Sequence, residues 1–322
     1  MHRRVDRQYF GARVWLPLLA SLALPGARPA VAGATAALNC PTRFARLIID
    51  PDTALNYRIA HDAITADLFL GELTNIRPFT QNANKHTLYL VTLKAKDPYT
   101  GAVRFREAVF KARVWGDDGG WSRAPMEYVA YELNQFLGMD YVPPTAYRKN
   151  LKIEADGQTF TEGALILLAP EFRPLEKLPA QVFPESHDAI IADNRVLNVL
   201  LQNQDAHFRN LGLGKHWVDG HSRPVFIDWG ASLRAGTHVT MRRYPALGNG
   251  APVARIRERT LERLRKLSAE QFEKMVSAGF LNRDEVKGIL SRRDGIVSYF
   301  EALVTDAQRV GKTRQSVVII EE

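Results

Sequence analysis

The stretch Val196-Leu-Asn-Val-Leu-Leu-Gln-Asn-Gln-Asp205-Ala-His207-Phe-Arg-Asn210 decides how the chain is read. Its first half continues a run from Asp188 to Leu201 with apolar residues at helical spacing, and its second half is polar. A helix that runs out into Asp205, His207 and Asn210 gathers titratable and metal-ligating groups in one loop. Eighteen residues past Asn210 comes Val225-Phe-Ile-Asp228-Trp-Gly230, a hydrophobic strand that ends in a carboxylate. Each string alone has a bland reading. Polar side chains at a helix end satisfy backbone groups, and Ile-Asp-Trp-Gly closes many strands.

The order of pieces upstream adds weight. Leu88 to Leu93 and Val103 to Arg113 are β-rich runs flanking the turn cluster Pro98-Tyr-Thr-Gly101, which predicts a hairpin. The second run contains Ala108-Val-Phe-Lys111, where a lysine in an apolar strand competes with the reading of a snorkelling edge residue. A helix is predicted from Pro125 to Leu137, with Met126, Val129, Ala130, Leu133 and Leu137 on one face and Gly138 as its stop. Ser122, in the loop 117–122, is its candidate cap. Glu127 and Glu132 lie five apart on that helix and point in different directions, and the first-turn position favours Glu127.

A strand lysine, a helix glutamate, an Asp with Asn five residues on, and then Asp-aromatic-Gly make the part list for ATP-dependent phosphoryl transfer. That chemistry needs a cation on the α/β-phosphates and a carboxylate that fixes the cation. It also needs a base for the acceptor hydroxyl and two oxygen ligands for Mg²⁺. The Asp205–Asn210 spacing equals that of the protein-kinase catalytic loop, and Ala-Val-Phe-Lys111 stands where such kinases have V-A-I-K.

The Asp-x-His-x-x-Asn loop followed by Ile-Asp-Trp-Gly resembles the atypical kinase superfamily: phosphatidylinositol 3/4-kinases, HipA-type bacterial kinases, spore-coat CotH kinases and secretory-pathway casein kinases. The segment from Glu127 through Tyr141-Val-Pro-Pro-Thr145 is similar to the helix and following strand of bacterial members. The matching pieces run from about Leu88 to Gly230, under half of the chain. The resemblance implies that Lys111 binds the α/β-phosphates of ATP and that Glu127 pairs with Lys111. It makes Asp205 the base or the group that positions the acceptor hydroxyl, and puts His207 against the transferring phosphate. Asn210 and Asp228 would hold Mg²⁺. Departures are also present. No G-x-G-x-x-G loop precedes the lysine strand, so Gln81-Asn-Ala-Asn-Lys85 would have to cover the phosphates. Trp229 replaces phenylalanine, and no A-P-E follows Gly230.

The plan that emerges is α+β and two-lobed. Residues 41–115 read mainly as strands and turns, and Ala164-Leu-Ile-Leu-Leu-Ala169 is a further strand stopped by Pro170. Residues 33–170 form a strand-rich N-lobe with one key helix, and residues 171–322 a helical C-lobe, hinged near 170–184. Two further helices are predicted near Arg257–Ser277 and Asp284–Val310. Eight basic side chains fall within 241–266 (Arg242, Arg243, Arg255, Arg257, Arg259, Arg263, Arg265, Lys266). They read either as a docking surface for an acidic acceptor or, as we favour, as a solvated helix face with i,i+4 pairs along Glu258, Glu262 and Lys266.

The amino terminus is a targeting segment. Arg3, Arg4, Arg7 and Arg13 precede the eleven-residue apolar run Val14–Leu24, and Ala30-Val-Ala32 makes a small-residue cleavage site before Gly33. Residues 1–32 therefore read as a signal peptide, with the mature chain periplasmic or secreted and without a transmembrane segment. The whole chain carries a formal charge of +8; five arginines and one aspartate leave with the leader, and the balance drops to +4. That removes the charge argument for a nucleic-acid partner. One cysteine, Cys40, excludes a disulfide framework or a cysteine-based cluster. The expected acceptor is a hydroxyl on a protein, ahead of a lipid or a small molecule. Export sits awkwardly with ATP chemistry, which keeps two alternatives in view: nucleotidyl (AMP) transfer from the same cleft, and an inactive pseudokinase that only binds.

Overall fold

The computed structural model describes residues 51–80, 88–97, 100–113, 123–155, 157–178, 187–234, 241 and 253–320. The leader, Cys40, Gln81–Lys85, Ser122, residues 179–184 of the hinge, Arg242 and Arg243 lie outside them.

The first element is a helix, α1 (Pro51–Leu70), where the sequence predicts strands and turns. Its signals are present but muted. Pro51 suits a first helical position, and Ile64 and Leu68 stand four apart, yet Ala60, Ala63 and Ala66 spread weak apolar surface round the helix and blunt the period. Three strands follow, β1 (Glu72–Thr80), β2 (Leu88–Lys96) and β3 (Val103–Ala112), and then helix α2 (Ala124–Phe136). β4 (Thr145–Arg148), the small hairpin β5 (Ile153–Ala155) and β6 (Gln158–Phe160), and β7 (Gly163–Leu167) complete the strand-rich part.

Five strands make one sheet in the order β1-β2-β3-β7-β4, every neighbour antiparallel. The predicted hairpin is β2–β3, with Leu88 opposite Lys111. Alternation along β3 sorts its side chains onto two faces. Ala108 and Phe110 join Tyr89, Val91, Leu93, Ile64 and Leu68 in an apolar cluster under α1. Arg104 and Arg106 lie on that same face and pair with Asp67 of α1. Lys111 is thereby turned to the opposite face. At its other side, β7 can approach only because residue 163 is glycine: a Cβ there would lie 2.4 Å from the Lys111 carbonyl oxygen.

The rest of the chain is mostly helical. β8 (Arg173–Pro174) precedes α3 (His187–Leu201), and β9 (Leu211–Lys215) and β10 (Ser222–Phe226) form a hairpin that β8 extends to three strands. β11 (Ile256–Arg257) leads into α4 (Glu258–Lys266), α5 (Glu273–Ser277) and α6 (Arg283–Arg309), and β12 (Val318–Ile319) returns parallel to β11. The single helix predicted over 257–277 is broken at Ser268, which caps a short 3₁₀ turn reciprocally with Gln271. α6 opens with another such box, Asn282 accepting from the N–H groups of Asp284 and Glu285.

A second, larger core holds these helices together. Met126, Val129 and Leu133 of α2 pack in it with Val196, Leu197 and Leu200 of α3, Phe226, Trp229, Leu261, Leu264, Ile289 and Phe300. Thus α2 packs on one side against β4 and β7 of the sheet and on another against α3, and it spans the junction where the site lies. The chain is a two-lobed α+β fold, and among the described residues its strand-rich part holds two helices rather than one. Among the described residues, no helix is long and apolar enough to cross a membrane.

The basic stretch is neither reading in full. Arg263 donates to the carbonyls of Gln135 and Phe136 at the end of α2, and Arg257 pairs with the buried Asp193. Glu258 takes Arg314 as partner instead of a neighbour on its own helix. These cations staple helix ends and helices together.

Candidate active site

Lys111 and Glu127 reach each other across the junction of β3 and α2. Lys111 Nζ donates to Glu127 Oε1 at 2.6 Å and to Asp228 Oδ1 at 3.0 Å. Lys111 is on the face of β3 away from α1, Glu127 in the first turn of α2, and Asp228 just past β10, so three separate elements converge on one ammonium. Glu132, the competing glutamate, is turned away and hydrogen-bonded by Tyr128 on its own helix. The α2 N-cap is Arg123, with no side-chain cap; its own N–H donates to the Gly230 carbonyl and ties the helix start to the Asp228 loop.

Electrostatics hold Lys111 and Asp228 in their charged forms. Burial disfavours the Lys111 ammonium, but the charges of Asp228 and Glu127 overturn that and keep its pKa above the ordinary lysine value. Partial burial works to raise the Asp228 carboxyl, and the charge and hydrogen bond of Lys111 outweigh it, so Asp228 stays below the usual carboxylate range. Burial pushes Glu127 upward, since it is shut off from solvent behind Lys111. Its two oxygens are nonetheless supplied: the Trp229 backbone N–H donates to both, at 3.1 and 3.2 Å.

Asp228 has a left-handed backbone, φ 63°. Aspartate tolerates this region better than most residues. The turn leaves the Asp228 side chain 42 % exposed while Trp229 is buried in the helical core. One carboxylate therefore faces outward and the aromatic anchors the loop.

The second group is the loop after α3. The helix ends at Gln202, left-handed at φ 48°, with the Asn203 N–H returning to the Asn198 carbonyl. Asn210 Nδ2 donates to the Asp205 carbonyl at 2.8 Å, and the Asn210 N–H to the His207 carbonyl at 2.9 Å, which folds Asp205–Asn210 into a closed loop. His207 Nδ1 accepts from the Arg209 N–H, so the ring proton belongs on Nε2, 3.4 Å from Asp205 Oδ1. That bond to Asp205 raises the His207 pKa.

Asn203, which the sequence alone does not single out, joins the two groups. Its Oδ1 accepts from the Asp205 N–H, and its Nδ2 donates to the Asp228 carbonyl at 3.4 Å. The Ile227 N–H donates to the Asn210 carbonyl, a second tie. The place of Asn203 just past a helix end, two residues before the loop aspartate, was the signal in the sequence, and its burial is seen only in the fold. All six residues singled out from the sequence thus lie in two linked clusters, Lys111–Glu127–Asp228 and Asp205–His207–Asn210.

Could the site hold a divalent cation? Among the described residues no three His, Cys, Asp or Glu side chains are arranged to hold a metal by themselves. An outward Asp228 carboxylate, and Asn210 with its nitrogen committed to Asp205, offer two oxygens. Mg²⁺ is commonly held by one or two protein oxygens together with waters and substrate phosphates, and the donor set fits that mode. No family model matches the chain, and no curated protein matches it either.

Proposed function

We propose that the chain is an ATP- and Mg²⁺-dependent phosphotransferase acting on a hydroxyl acceptor, a protein ahead of a lipid or small molecule, and that it works after export. The observation that carries this reading is the placement of one buried ammonium, Lys111, between Glu127 and Asp228, contributed by a strand, a helix and a loop 117 residues apart in the chain at the widest. Phosphoryl transfer depends chiefly on positioning and charge stabilisation. A lysine held protonated by two carboxylates is equipped for the first contact with α/β-phosphates.

In this reading Glu127 fixes Lys111, and Lys111 binds phosphate oxygens. Asp228 and Asn210 hold Mg²⁺, which supplies neutralisation of phosphate charge when bound. Asp205, its side chain 36 % exposed, is reachable by an acceptor hydroxyl and takes its hydrogen bond or proton. His207 Nε2–H, which rests 3.4 Å from Asp205, exchanges that partner for an oxygen of the phosphate in transfer. The loop bonds of Asn203 and Asn210 keep these groups from drifting.

The test is incubation of the full chain with Mg²⁺-ATP and a set of hydroxyl-bearing proteins, read by intact mass. A phosphate-sized gain that needs Lys111 supports phosphotransfer. An AMP-sized gain replaces the reading with nucleotidyl transfer, and Mg²⁺-dependent binding with no gain on any acceptor replaces it with a binding module.

A further inference from the structure

Behind the Asp205–Asn210 loop lies a small polar cavity walled by Asn194 and Asn198 of α3, Asn203, His207, Asn210 and Trp229 among others. Its free space is that of about one water molecule. Two of its walls carry buried polar atoms that no hydrogen bond satisfies among the described residues: the side-chain oxygen of Asn198 and the indole Nε1–H of Trp229. Both residues are 2 % exposed. The Asn198 amide orientation follows from its nitrogen, which donates to the carbonyl and the side-chain oxygen of Asn194; that leaves Oδ1 as the atom seeking a donor.

One atom is an acceptor and the other a donor, and buried polar atoms of either kind are rarely left without a partner. A metal cation would satisfy the oxygen and repel the indole N–H. An apolar occupant would satisfy neither. A water does both at once, donating to Asn198 and accepting from Trp229. We propose that this cavity is a binding site for a single structural water that joins α3 to the Trp229 indole and backs the Asp205–Asn210 loop. The consequence reaches the candidate site through Trp229, whose backbone N–H is the donor to Glu127. Anchoring the indole restrains the residue whose backbone N–H docks on Glu127. The inference does not rest on phosphotransfer; it concerns how the two clusters are held in register.

A high-resolution crystal structure of the full chain tests it first. A water within about 3 Å of both Asn198 Oδ1 and Trp229 Nε1 is expected; a cavity without density, or closed by direct contact of the two side chains, overturns the proposal. The readout needs no nucleotide and no turnover, so a chain that transfers no phosphate still decides it. The second test is Asn198→Leu, which keeps the branched side-chain shape and lacks both the acceptor and the amide that bonds Asn194. Amide hydrogen exchange at the Trp229 backbone N–H should quicken at least about tenfold relative to amides in α6, and unchanged exchange overturns the bracing role. If Asn198→Leu does not fold, Trp229→Phe removes the donor and keeps the backbone N–H, with the same expectation.

Discussion

The backbone N–H of Trp229 donates to both carboxylate oxygens of Glu127, a residue 102 positions earlier in the chain. Glu127 thus does two things with one side chain: it pairs with Lys111 and it docks the Asp228 loop onto the first turn of α2. Removing it leaves a buried ammonium with one partner in place of two, and a buried backbone donor with none.

Glu127→Ala should therefore destabilise the fold by about 3 kcal/mol, the range expected when one partner of a buried pair is lost. Urea unfolding measures this from the midpoint at unchanged slope. A loss below about 1 kcal/mol, within the reach of an ordinary surface change, would mean the contact contributes little.

Asp205→Ala should separate binding from chemistry. Asp205 lies in the loop, away from the Lys111 triad, and Asn210 reaches its backbone carbonyl, which the substitution keeps. Mg²⁺-ATP affinity should be retained while acceptor modification falls about a hundred- to ten-thousand-fold, the usual weight of a general base. Full-rate transfer would remove Asp205 from the base role.

Asp67 lets a prediction be made far from the site. Its carboxylate, 4 % exposed, receives both Arg104 and Arg106 and locks α1 to β3. The arginines keep more than a quarter of their surface in water, so Asp67→Ala should cost about 2 kcal/mol rather than the full price of a buried pair. Thermal unfolding checks it, and an unchanged midpoint would show that α1 is held by its apolar contacts alone.

His61 of α1 predicts a pH dependence of stability. It is buried between Tyr131, which is 3.0 Å from its Nδ1, and Asp140, 3.5 Å from its Nε2, with His216 also on Asp140 and Asp219 beyond. Burial, and then the charge of His216, lower its pKa from 6.5 to about 4. The unfolded chain therefore takes up this proton first as pH falls. Stability from this group is complete above about pH 6.5 and is lost progressively toward pH 4. Wild type should lose more stability than His61→Gln between pH 6.5 and pH 5, above the range where most carboxylates titrate; parallel curves would show that His61 is not the group responsible.

Much of the site was legible because its chemistry is carried by residue types at short, rigid spacings. Asp205, His207 and Asn210 occupy one loop, and Lys111 follows from strand alternation once β3 is recognised. Glu127 over Glu132 was readable from its first-turn position together with the register of the kinase resemblance. What the sequence hid was long-range. Asn203 reads as an ordinary loop residue until Asp228 is seen beside it, and α2 reads as part of the strand-rich half although it packs against α3 as well as against β4 and β7. α1 was missed because its alanines dilute the helical period, and the buried surface that stabilises it belongs to four strands distant in sequence, β2, β3, β4 and β7. The arginines of α4 likewise look like a solvated face until the end of α2 is placed under Arg263.

The most direct test of the central claim is a thermal-shift titration of the full chain with ATP, with and without Mg²⁺, beside Asp228→Ala. A ligand that binds the folded state raises the midpoint by mass action. A rise that requires both Mg²⁺ and the Asp228 carboxylate is the result predicted here. No rise in the wild type, or an equal rise in Asp228→Ala, would contradict a metal-dependent nucleotide site at this junction.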